Sequence, residues 1–358
     1  MINKSFFFLS ILFVSSLSLS FNAQAQDKSS LYHGAIAVND QSTAARNQAI
    51  QTMFGQTLIK VSGQGKITEH PTILKEIKAA LSYATEFGFE SGDSGSVLNV
   101  SFNEELIDRL LKDNGFTLWD AERPTVMLWL VYEDEHGIRQ IVNEQSNSEV
   151  LAEIKAVAKT RGLPLLVPIW DLDDQLVVSA GDVWGQFEDK VASANARYQS
   201  DYMILAKVTN HGISNNVSWS VFKMGNEVDI FGQTSTQISM TGTDETPSIA
   251  QAFAQVINQS TDFFAQQYSV DTTAGDGSIL LTLTNVDSLT RYADIIDYLN
   301  SIKAVEQIVL VKVKGQEYQF KIDLLGNESA FLDLINLGSK MASITNYDPD
   351  LVLFEWRG

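Results

Sequence analysis

Thr125-Val126-Met127-Leu128-Trp129-Leu130-Val131-Tyr132 decides how this chain is read, because it is almost wholly apolar. A strand with one wet face alternates; a run without a polar face belongs in the middle of a sheet covered on both sides. Working outward, Asp134 to Gly137 reads as a turn into a second strand, Ile138 to Val142. A helix is expected from Asn147 to Arg161, ended by Gly162, then another buried strand from Leu163 to Ile169. A further helix spans Asp182 to Tyr198. Strands follow at Tyr202–Val208, Val217–Lys223 and Glu227–Thr236, with Gly225-Asn226 as the tight turn between the last two. Pro247 to Gln267 closes the unit as a helix. Helices on a mixed sheet give an α+β layer over residues 121–268.

The flanks carry units of their own. Before Pro124, a strand from Tyr32 to Val38 leads through the turn Asp40-Gln41-Ser42 into a helix stopped by Ser62-Gly63-Gln64-Gly65. A second helix opens at Pro71, a hairpin spans Phe87 to Phe102, and a helix runs from Asn103 to Asp113. This is an α+β domain over 26–120. After Gln267, Ser269 to Gly277 reads as a linker. Residues 278–358 then follow β-α-β-β-α-β, the ferredoxin-like split pattern. The overall expectation is a multi-domain α+β protein with helix-covered mixed or antiparallel sheets.

Residues 1–25 read as a signal peptide: Lys4, the apolar stretch Phe6 to Leu19, then Ala23-Gln24-Ala25 with the cut after Ala25. The expected location is the periplasm, with no integral membrane segment after cleavage. The chain has no Cys, which removes disulfides, a thiol nucleophile and thiolate metal ligation. The formal net charge of −19 repels phosphate backbones, so nucleic acid is not an expected partner.

Several stretches in order resemble an exported Gram-negative family. They are Ala44-Ala45-Arg46 leading to Leu58-Ile59-Lys60-Val61-Ser62-Gly63, Leu118-Trp119 with Arg123-Pro124, Arg161 to Pro168, Asp171-Leu172-Asp173-Asp174, Asp182-Val183-Trp184-Gly185, and Arg197-Tyr198 with Asp201. The family is the domain of unknown function numbered two thousand and sixty-six, and it implies no activity and no catalytic residues. Arg197-Tyr198-Gln199-Ser200-Asp201-Tyr202, placed between a helix and a strand, is also similar to the amino-terminal domain of TolB and to CsgG-like and FlgT-like envelope domains. That likeness implies assembly or scaffolding.

Motifs for chemistry are sparse. Gly-x-Ser-x-Gly, the phosphate-binding glycine loops and His-Glu-x-x-His are absent, and the four His are far apart. Asp171, Asp173 and Asp174 after the strand Leu163–Ile169 could hold a cation or do acid–base work. The plainer reading is a solvated loop capping the helix near Asp182. Trp170 and Trp184 near the acids could form a binding surface or fill the gap between helices and sheet. Arg123 or Arg197 could pair with the acidic loop. No cofactor is expected. The leading expectation is a non-enzymatic periplasmic protein that binds or scaffolds other envelope proteins. The alternative is a metal-dependent hydrolase or ligand-binding protein using Asp171–Asp174 and the nearby Trp residues. The oligomeric state stays open.

Overall fold

A computed structural model describes residues 31–92, 95–134, 136–146, 148–228, 234–273, 277–344 and 351–358. The expected signal peptide lies outside them. The first layer holds β1 (His33–Val38), α1 (Thr43–Ser62), α2 (Pro71–Lys78), β2 (Ala84–Gly92), β3 (Gly95–Phe102) and α3 (Glu104–Asp113). Its antiparallel sheet has the order β1-β3-β2. The Ser42 hydroxyl caps α1 by accepting from the Ala45 N–H at 3.2 Å. Gly63 ends α1 at φ 72°, where a Cβ would sit 2.5 Å from that of Ala265. Both the turn and the close approach therefore require glycine. Phe54 and Leu58 of α1 pack with Leu98, Val100, Ile107 and Leu111.

The middle layer comprises β4 (Leu118–Trp119), β5 (Val126–Glu133), β6 (Arg139–Ile141), α4 (Ser148–Arg161), β7 (Leu165–Leu166), α5 (Leu172–Val177), α6 (Ala180–Trp184), α7 (Glu188–Asn195), β8 (Tyr202–Asn210), β9 (Asn215–Val228), β10 (Thr234–Thr246) and α8 (Ile249–Tyr268). Among the described residues, six strands form a mixed sheet of order β10-β9-β8-β5-β6, with β7 also on β5. β5 runs parallel to β8 and β7. The apolar run behaves as its composition demands, since Val126 to Val131 are all fully buried. Val126, Leu128 and Leu130 enter the main core, which also takes Ile154 of α4 and Phe253 of α8. Met127, Trp129 and Val131 enter a second core with Val183 and Val191 on the opposite face.

Several expectations in this layer are corrected. Leu163–Ile169 is no buried strand: only Leu165-Leu166 pair with β5, and Leu166 is exposed. Pro164 and Pro168 limit the pairing, because proline has no N–H to donate. The helix expected from Asp182 breaks at Gly185 and Gln186, whose φ is 55°, and resumes as α7. Gly225-Asn226 is no turn. β9 runs through it to Val228, and its register against β10 shifts there, so the glycine marks a bulge with Ser235 packed over it.

The segment expected as a linker begins with β11 (Ser269–Val270), which pairs antiparallel with β4. The last layer holds β12 (Gly277–Thr284), α9 (Leu289–Ser301), β13 (Val305–Lys314), β14 (Glu317–Leu324), α10 (Glu328–Leu337), β15 (Met341–Ser343) and β16 (Val352–Trp356). The β-α-β-β-α order is as expected, and the sheet order is β13-β14-β12-β16-β15. One strand more than expected, β15, follows α10 at the sheet edge, and the closing strand β16 runs parallel to β12.

The layers share one continuous buried apolar cluster containing Phe54, Trp119, Phe264 and Leu281. Lys303 joins the first layer to the last: its Nζ donates to Glu104 and Asp108, and its N–H donates to Asp120 Oδ2 at 2.7 Å. No helix among the described residues is long and apolar enough to cross a membrane.

Candidate functional site

The acidic loop folds into a clamp. Asp171 caps α5 by accepting from the Asp174 N–H at 3.2 Å. Arg197 approaches from the turn after α7 and donates to both Asp171 oxygens, Nη1 to Oδ1 at 2.6 Å and Nη2 to Oδ2 at 3.0 Å. Nη1 also reaches Asp174 Oδ1 at 3.3 Å, and Nη2 lies 3.9 Å from Asp173 Oδ2. The buried Asp174 accepts at Oδ2 from the Tyr198 hydroxyl at 2.6 Å and the Trp170 N–H at 2.9 Å. The hydrogen bonds from Arg197 hold the Asp171 carboxyl below its usual range. The same Asp171 contact raises Arg197, while burial, helped by Asp174, pushes the Tyr198 hydroxyl up.

Trp170 sits at φ 60°, in the left-handed region. Its N–H bond to Asp174 and its carbonyl, which accepts from Gln175 Nε2 at 2.8 Å, hold it there. Trp184 is placed differently, with the Arg139 guanidinium 4.2 Å over its ring and Lys207 at 5.9 Å. Asp171, Asp173, Asp174, Arg197 and the Trp170 backbone are thus brought together, and Trp184 contributes elsewhere, against the second core.

Arg123 does not join the clamp. It is buried and donates to backbone carbonyls of Lys60 (2.8 Å), Asp120 (2.8 Å) and Gly162 (2.8 Å), while stacking 4.0 Å over Trp119. Burial pushes it down to about 9. Arg161 makes a similar knot with the Gly63 carbonyl and Asp262. Both cations serve helix ends and loops.

Two features escaped the sequence reading. α5 displays Leu172 and Leu176, one turn apart and 68% and 75% exposed, with Asp173 79% exposed between them. The only hint in the sequence is that apolar residues recur among the acids where a loop was expected. The second is a cleft of about 860 Å³ between the β8–β10 end of the central sheet and α10–β15. In it the hydroxyls of Tyr202 and Tyr268 meet at 2.7 Å. Asp201 lies beside them, its carboxyl raised by burial although it accepts from the Thr125 N–H at 2.7 Å.

Among the described residues, no group of three or more His, Asp or Glu is arranged to hold a metal ion. Each oxygen of Asp171 and Asp174 already accepts from an N–H or O–H of the protein.

Sequence comparison bears on the last layer. Residues 277–348 match DUF2066. Residues 25–120 match a second model, described as domain of unknown function DUF8605. The motifs that carried the family resemblance lie outside the DUF2066 match, and those from Ala44 to Trp119 fall in the DUF8605 match. No curated protein matches the chain. Among solved structures, the LpoB C-terminal domain from Salmonella enterica aligns over 40% of this chain and 94% of its own, at 14% identity and a TM-score of 0.21. A score that low carries no argument about fold or function.

Proposed function

We propose that the protein is exported to the periplasm and works without catalysis of its own, docking onto another protein of the cell envelope through α5. The observation that carries this reading is Leu172 and Leu176, displayed on a helix that Arg197, Asp171, Asp174 and Tyr198 hold in place. An isolated helix this short is unstable in water, so the clamp is what keeps the two leucines presented. Their burial on docking would contribute about 1.5–3 kcal/mol each, with little ordering cost because the helix is already held. The exposed Asp173 between them fits an apolar pocket rimmed by basic groups. The Lys4 to Ala25 pattern supports export.

Against the alternative, a metal-dependent hydrolase or ligand-binding protein at this loop, Asp171 and Asp174 are spent on Arg197, Tyr198 and backbone N–H groups. Chemical crosslinking in cells, with recovery of a tagged exported copy, tests the proposal. A reproducible envelope complex is expected from the native chain and should be lost from a Leu172→Ser/Leu176→Ser variant. A complex of equal yield from that variant would remove α5 from the account.

A further inference from the structure

The last sheet ends on a strand unlike the other long edge. Among the described residues, β13 pairs only with β14, so its outer side is open. Its sequence is Val305-Glu306-Gln307-Ile308-Val309-Leu310-Val311-Lys312-Val313-Lys314. Val309, Leu310, Val311 and Val313 are all between 40% and 53% exposed. β10, an edge of the central sheet, exposes one large apolar side chain, Ile238, set among Thr236, Gln237, Ser239, Thr241 and Thr243. A flat apolar edge is a template for strand addition, and proteins usually blunt it.

β13 has two register shifts, after Val305 and after Leu310, and between them Gln307 to Leu310 pair regularly with Asp323 to Phe320. Alternate residues of that stretch present outward N–H and C=O groups in regular order. Apolar side chains flank this edge on both faces. Register places Leu310 and Val313 on the side of Phe320 and Tyr318, under α9, whose Tyr292 meets Tyr318 at 5.8 Å. Val309, opposite Lys321, lies on the other side.

The charges choose the occupant. Glu306 stands at one end of β13, and Lys312 and Lys314 stand at the other. A parallel copy would set lysine beside lysine. An antiparallel copy sets each Glu306 toward the lysines of its partner, with the apolar stretch paired on itself across a two-fold axis. We infer that β13 pairs antiparallel with β13 of a second copy, joining the two five-stranded sheets into one.

Sedimentation equilibrium of the purified chain from ~1 μM to ~100 μM, the span for ordinary interfaces, tests this. The native chain is expected to show a monomer–dimer equilibrium. Val309→Lys/Val311→Lys should weaken it at least tenfold with an unchanged circular dichroism spectrum. Glu306→Lys alone should weaken it, and adding Lys312→Glu and Lys314→Glu should restore it. The chain has no Cys, so Val309→Cys is a unique thiol and should form an intermolecular disulfide on mild oxidation. A native chain that stays monomeric throughout would overturn the inference and leave the edge to a strand of another protein. A dimer unmoved by the lysine pair would also overturn it. Failure of the triple charge exchange to restore pairing would overturn the antiparallel arrangement.

Discussion

Arg197 and Asp171 meet fork to fork, at 2.6 and 3.0 Å, across twenty-six residues of chain. Bidentate geometry of this kind fixes orientation as well as distance. Here it ties the start of α5 to the turn that follows α7, and so fixes which way Leu172 and Leu176 point.

Replacing Arg197 by Met should therefore release α5. The buried Asp174 would keep Tyr198 and the Trp170 N–H but lose its cation. With Arg197 about one-third exposed, the cost is screened to about 1–2 kcal/mol. Urea unfolding checks the cost, and proteolysis within 170–178 should speed up before global unfolding does.

The same clamp sets a pH dependence. Asp171 is held low by Arg197, so its contribution is complete above the ordinary carboxylate range near ~4 and is lost as pH falls through the depressed value. The stability gap between the native chain and Arg197→Met should be constant from neutral pH to mild acid and close below it. A gap that closed nearer pH 6 would point to a histidine instead.

Asp201 behaves oppositely. Burial raises its carboxyl, so ionising it costs stability at neutral pH, and that cost is absent below the unfolded pKa. Asp201→Asn retains an acceptor for the Thr125 N–H. Its melting temperature should exceed that of the native chain at pH 7, and the difference should vanish as pH drops toward ~4.

Lys303 has a side chain only 9% exposed, set between Glu104 and Asp108 with the Tyr32 ring beside it. Lys303→Met would leave these carboxylates without that cation, a loss of about 3–5 kcal/mol. Because the contact joins the first and last layers, limited proteolysis should separate a carboxy-terminal fragment earlier in the variant. Unchanged unfolding and digestion would show that the shared apolar cluster alone holds the layers together.

What the sequence revealed follows from which interactions are local. Ser42, Gly63 and the Val126–Val131 run announce a cap, a stop and a buried strand because each depends on neighbours in the chain. The β-α-β-β-α order of the last layer is legible for the same reason. The sequence offers Arg123 or Arg197 as partner for the acids without choosing, because the choice depends on how distant segments meet, and it does not show what the acids hold, since the exposure of Leu172 and Leu176 depends on the absence of a covering element. Leu163–Ile169 misleads because apolar content implies burial, while two prolines decide how much of it can pair. Gly225-Asn226 has a turn's composition, yet Ser235 needs the space there in a continuing strand. The pairing of Ser269-Val270 with Leu118-Trp119 is invisible locally because the partner lies far back in the chain.

The central claim is that α5 docks on a partner. A photo-crosslinking amino acid placed singly at Leu172 or Leu176 in an exported copy tests it most directly, with Ile213, 95% exposed, as the control for an exposed apolar position. The account predicts one discrete adduct from 172 or 176, none from 213, and loss of the adduct when Arg197 is also changed to Met. No adduct at 172 or 176, or the same adduct from 213, would contradict it.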